Sequence, residues 1–162
     1  MQVMKSHLKK QGTTRAVCLR SQKRPSADVV KLVRNVSGLK PSDLSTEQIC
    51  AAHLATLCEA AEKEIQDSNG LGRFVNYVEL PDVLIDDIIP KHFLHQEGEL
   101  SPDAKQRIND VNQKYSKGRD TNKAWKEDSK NKEETAWKEM KDAAAEYMLP
   151  VYERMEAIRT GR

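Results

Sequence analysis

Aromatic residues are scarce in this chain: two Phe, two Trp and four Tyr among 162 residues. Aromatic packing therefore cannot carry the core. Long apolar runs are missing too. None approaches the roughly 18 residues a membrane span needs, and no apolar stretch near Met1 would serve as a signal peptide. The expectation is a cytoplasmic protein with no membrane partner. Cysteine is limited to Cys18, Cys50 and Cys58, without metal-like spacing. An odd count in an apolar setting reads as reduced, buried thiols of an intracellular protein. Nor is there a bulk charge of one sign. The 27 Lys and Arg against 25 Asp and Glu leave a formal +2, so net charge does not argue for a nucleic-acid partner and none is expected. Internal repeats and low-complexity segments are also lacking.

The length gives room for one ordinary domain with a modest core. Hydrophobic residues make up 38% and charged residues 32%, which is polar but short of a disordered composition. The charge is unevenly spread. Between Met1 and Arg34 stand Lys5, Lys9, Lys10, Arg15, Arg20, Lys23, Arg24, Lys31 and Arg34 against the single acid Asp28. Such a region suits a nearby anion, or is simply a solvated basic surface.

The pattern predicts a short buried strand at Arg15 to Arg20 (RAVCLR). A helix follows in RPSADVVKLVRN, with Pro25 in its first turn and Val29, Val30, Leu32 and Val33 on one face. Gly38 and Pro41 mark a loop. A long helix spans Thr46 to Asp67. Ser45 and Gln48 have capping-box spacing, and Ile49, Leu54, Leu57, Cys58, Ala61 and Ile65 recur at helical intervals. The Ser68 to Gly70 run stops it. RFVNYVEL alternates and reads as a second strand. Pro81 then opens a helix through Ile85, Ile88 and Ile89, and Pro90 ends it. Ser101 and Pro102 start another helix, with Ile108, Val111 and Tyr115 as a thin apolar stripe. KGRDTNKAWKEDSKNK reads as a loop. From Glu133 a last helix keeps Ala136, Met140, Ala144, Tyr147, Val151, Met155 and Ile158 on one face across Pro150, where a kink is expected. Two strands and five helices make a helix-rich α/β pattern. Two strands alone do not make a stable sheet. Either others escape the pattern or the chain is part of something larger.

Three segments carry a resemblance. FVNYVELPDVLIDDIIPKHF has Asn76, Tyr77, Leu80 and Pro81 at a strand end, then Pro90, His92 and Phe93 at a turn. LSTEQICAAHLATLCEAAEK has a Cys-Ala-x-x-Leu core, and the last helix ends in Leu-Pro-x-Tyr-Glu-Arg-x-Glu. In this order they resemble the C-terminal portion of one branch of the sulfotransferase family, over roughly Arg15 to Arg159. The resemblance implies a partial P-loop-like sulfotransferase fold with few parallel strands and about five helices. Residues 1–162 would form a single sulfotransferase-like domain. The N-terminal half, with its phosphosulfate loop, would be absent. The implied activity is transfer of a sulfuryl group from PAPS to a hydroxyl or amine. This chain alone is expected to be inactive, and the acceptor is not legible.

The family also implies site residues. Arg20, at the end of the first strand, or Arg24, in the rival register beside Pro25, would hold the 3′-phosphate of PAPS or PAP. The family has Arg-x-Pro, whereas Pro25 comes five residues after Arg20. Lys117, Gly118 and Arg119 are similar to the family's late basic loop, although a solvated loop has the same composition. His7, after Lys5 and Ser6, stands where a catalytic base follows Lys-Thr in many members. No metal site is expected. Trp125 and Trp137 could be stacking platforms or packing residues. An incomplete sheet would leave an edge through which the protein could self-associate. The other reading is a non-catalytic helical interaction protein, docking a partner through the alanine-rich DAAAEYM face of the last helix.

Overall fold

The computed structural model describes Met4, Cys18 and residues 23–94, 98–113 and 129–161. In chain order its helices are α1 (Ala27–Ser37), α2 (Thr46–Asp67), α3 (Ile89–His92), α4 (Pro102–Asn112), α5 (Ser129–Glu134), α6 (Lys138–Ala143) and α7 (Leu149–Thr160). Two five-residue π turns, Leu84–Ile88 and Ala144–Met148, lead directly into α3 and α7.

No strand occurs among the described residues, and the architecture is all-α. The expected α/β fold with parallel strands is therefore overturned. So is self-association through a sheet edge, because the described residues form no sheet to have one. The reason is local at residues 73–80. The Asn76 side chain accepts from the Val78 amide (3.3 Å), and the Asn76 amide donates to the Glu79 carboxylate (3.2 Å). These bonds close a 3₁₀ turn over Tyr77–Glu79. Side-chain bonds of this kind compete with a ladder for the same backbone groups. Tyr77 and Val78, placed on a buried strand by the alternation, are exposed. In the first expected strand Cys18 is helical; its neighbours lie outside the described residues.

The chain divides into two compact units. The first comprises residues 1–74 and 128–162. Its central element is α2, which packs against α1, α6, the second π turn and α7. The start of α2 is the expected one: Ser45 accepts from the Gln48 amide (3.2 Å) while the Gln48 side chain accepts from the Ser45 amide (3.1 Å). Its end is also as expected, with Asn69 and Gly70 at positive φ. Helix α1 is capped by Ser26, whose Oγ accepts from the Val29 amide (3.3 Å), so Pro25 precedes the helix instead of entering its first turn.

The core gathers Val29, Leu32 and Val33 of α1, Ile49, Cys50, Ala52 and Ala55 of α2, and Met140, Ala143, Tyr147 and Val151 of the C-terminal segment, with Met4 and Cys18. Small residues on α2 let neighbouring helices come close, since interaxial distance follows side-chain size. Three polar ties bind α2 to the C-terminal segment. Trp137 Nε1 donates to Glu47 (3.2 Å), and Gln48 Nε2 donates to Glu146 (3.1 Å). Arg154 donates to Glu62 (3.1 Å) and Glu59 (3.1 Å). Rising numbers on one side meet rising numbers on the other, so the two segments run in the same direction.

The last helix does not begin at Glu133. Glu133 belongs to α5, which occupies part of the expected loop, and Trp137 leads into α6. At Pro150 a π turn takes up what the sequence suggests as a kink. Proline lacks an N–H and clashes with the carbonyl four residues back. Widening the preceding turn, with the Leu149 amide bonded to Ala144 O five residues back, accommodates it. Pro90 is handled identically: the Ile89 amide bonds Leu84 O, and the helix runs on to His92 instead of ending.

Cys18 and Cys50 are both buried and form a disulfide, with Cα atoms 4.8 Å apart. The expectation of three reduced thiols is corrected: only Cys58 is free.

The second unit spans residues 75–127. Ser101 caps α4 through the Ala104 amide (3.2 Å), with Pro102 at the first helical position as expected. Leu84 and the Ala104, Ile108, Val111 stripe of α4 border a shallow hollow. Of this unit's described residues Ile85 alone is buried, while Tyr77, Val78, Phe93 and Val111 are exposed. No helix among the described residues is long and apolar enough to cross a membrane.

Candidate functional site

Of the residues assigned to a nucleotide or a catalytic base, His7, Arg20, Lys117, Gly118 and Arg119 lie outside the described residues. Arg24 is described, and it is exposed just ahead of α1. Trp137 is a packing and tying residue through its bond to Glu47, and Trp125 lies outside the described residues. His92 is exposed at the end of α3. Among the described residues no group of three or more His, Cys, Asp or Glu is placed to hold a metal ion.

Two hollows stand out among the described residues of the first unit. One, of 570 Å³, lies between α1 and α2 and is polar. Asp28, Glu59 and Glu64 line it with Lys31 and Lys63, so charges of both signs offset one another. Its hydroxyl, Thr56 Oγ1, donates to the His53 carbonyl at 2.8 Å and so is tied to backbone, with no base activating it.

The other is an apolar groove of 760 Å³ between α2 and the C-terminal segment. Ala55 and Cys58, three residues apart on α2, form one wall. The opposite wall carries Lys141, Ala145, Met148, Tyr152 and Met155. Their intervals are four, three, four and three, which is the spacing of a helical seam. The stripe borders the core-facing one, and Met148 and Met155 pack against the core from their place in it. Tyr147 and Val151 are buried beneath, while Leu149 is 47% and Tyr152 51% exposed. The alanine-rich run divides in the same way: Ala143 goes to the core, and Ala144 and Ala145 line the groove.

Electrostatics keep the groove close to neutral. Burial, reinforced by the neighbouring Glu59 carboxylate, pushes the Cys58 thiol up, so it stays protonated and is a weak nucleophile at neutral pH. Arg154, on the same helix as Tyr152, is held by Glu62 and Glu59, and its hydrogen bond to Glu62 raises its pKa. Lys141 and Glu133 supply one charge of each sign to the lining. Two methionines give the walls flexible, polarizable side chains that adapt to what they touch. Such a surface suits apolar association. Comparison with protein-family models, with curated proteins and with solved structures gives no match.

Met155, Ala144 and Cys58, expected on core-facing stripes, do pack against the core, and they also line a groove that their core-facing spacing alone had not suggested. Its signal was present in the four-three intervals from Lys141 to Met155. Only the position of α2 separates the buried stripe from the open one.

Proposed function

We propose that this chain is a non-catalytic helical interaction protein that takes the apolar face of a partner helix into the groove between α2 and α6–α7. The observation that supports this reading is the open Ala145, Met148, Tyr152 seam, which has helix-packing intervals and no helix on it among the described residues. Partner helices bind such grooves through residues at three- and four-residue intervals. The sulfuryl-transfer reading, by contrast, rests on an anion site carried by strand ends, and no strand is present among the described residues.

The test uses a fluorescein-labelled, charge-neutral amphipathic peptide with a leucine and alanine face, titrated into the full chain by anisotropy. Binding should slow alkylation of Cys58, the free thiol in the groove wall. Ala145→Glu should weaken binding by roughly tenfold or more, because a carboxylate would be desolvated against the partner. Leu57→Glu, at an exposed site on α2 outside the groove lining, should leave binding unchanged. Wild-type affinity in Ala145→Glu, or an alkylation rate indifferent to peptide, would overturn the proposal. A calorimetric titration with PAP at low salt separates the two readings, since an interaction protein gives no heat of PAP binding.

A further inference from the structure

We propose that Ser26 is a phosphorylation site for a basophilic serine/threonine kinase. Such kinases select a serine by cations on its N-terminal side, which meet carboxylates in the kinase cleft through charge-assisted hydrogen bonds. The run Lys23-Arg24-Pro25-Ser26 puts cations three and two residues ahead of the hydroxyl. Both cations and Ser26 itself are exposed.

Spacing alone leaves a choice that the structure resolves. Ser37 follows Arg34 by the same three residues. Ser37, however, is half-buried inside α1, and its hydroxyl donates to the Val33 carbonyl at 2.9 Å. Its backbone is helical and its proton is committed. Ser26 has extended backbone (φ −67°, ψ 162°), and its Oγ acts as an acceptor for the Val29 amide, which leaves its proton available. The ring of Pro25 fixes its own φ at an extended-compatible value. Arg24, Pro25 and Ser26 lie outside any helix, so the hydroxyl can reach a kinase cleft without unwinding α1, while Lys23, itself helical, must leave its helical backbone to extend with them. Helix α1 stays anchored by buried Val29, Leu32 and Val33.

In the reaction Ser26 Oγ attacks the γ-phosphorus of a bound nucleoside triphosphate. The Oγ–P bond forms as the bond from γ-phosphorus to the bridging oxygen breaks. The diphosphate leaves, and the hydroxyl proton passes to the kinase's general base. The product phosphate would stand at an exposed position, three and two residues after the cations Lys23 and Arg24 and two before the like charge of Asp28.

The experiment incubates the folded full chain with magnesium ATP and the catalytic domain of a basophilic kinase, then maps modified peptides by mass. A gain of about 80 Da is expected at Ser26 and not at Ser37. Ser26→Asn, which keeps a capping oxygen but has no hydroxyl, should lose it. Lys23→Gln with Arg24→Gln should lower kcat/KM by about tenfold or more, the scale of lost charge-assisted contacts. No phosphate at Ser26, preferential modification of Ser37, or a wild-type rate in the double variant would each overturn the proposal.

Discussion

Tyr147→Ala should be among the most destabilising single substitutions in the first unit. Tyr147 is the largest fully buried side chain among the described residues, 1% exposed, and sits in the π turn where the C-terminal segment lies on α2. A buried aromatic removes about 150–250 Å² from water. At about 25 cal/mol/Å² that corresponds to roughly 4–6 kcal/mol as an upper figure. Truncation to alanine keeps the Cβ and opens a cavity, and aromatic truncations of this kind cost about 3–5 kcal/mol. For a chain of this size each kcal/mol moves Tm by about 2–4 °C, so a fall of roughly 6–20 °C is expected. Urea unfolding followed by helical circular dichroism gives the free energy directly. Leu57→Ala is the control. Helical periodicity puts Leu57 on the core face of α2, yet it is 55% exposed, and the substitution should cost under about 0.5 kcal/mol. If Leu57→Ala proved the costlier change, the assignment of buried faces on α2 and the C-terminal segment would be refuted.

Thiol titration of the unreduced, denatured chain should find one free thiol, Cys58, and intact mass should rise by about 2 Da on reduction. Three free thiols would contradict the Cys18–Cys50 bond, whose 32-residue separation corresponds to about 4 kcal/mol of loop-closure stabilisation. Alkaline pH should also destabilise the fold. Burial raises both the Cys58 thiol and the Tyr147 phenol, so the folded state holds their protons more tightly than the unfolded state does. Their contribution is fully present below the ordinary thiol and phenol values, about 8.5 and 10, and is lost as pH rises through the raised ones. Urea midpoints measured from pH 7 upward should fall through that window, and Cys58→Ala should flatten the first part of the decline. A midpoint independent of pH up to that of phenol ionisation would contradict it.

Helix boundaries fixed by local chemistry were legible in the sequence. Ser45 with Gln48, Asn69 with Gly70, and Ser101 with Pro102 act within a few residues of where they stand, and each helix end follows from its own cap. The core-facing residues Val29, Leu32, Val33, Met140, Tyr147 and Val151 were legible too, because their spacing already places them on one side of a helix. What the sequence could not decide depends on a second segment. Alternation at residues 73–80 suits a strand only if another strand supplies a ladder. Without one, Asn76 and Glu79 satisfy the backbone locally and a turn results. Cys18 and Cys50, 32 residues apart, pair only because both are buried in the same core. Pro90 looks like a helix stop and Pro150 like a kink to a local reading, yet at both a π turn carries the helix through. Which apolar stripe of the last helix is buried and which is left open was decided by where α2 packs, since periodicity gives a helix its faces and only a neighbouring helix covers one of them.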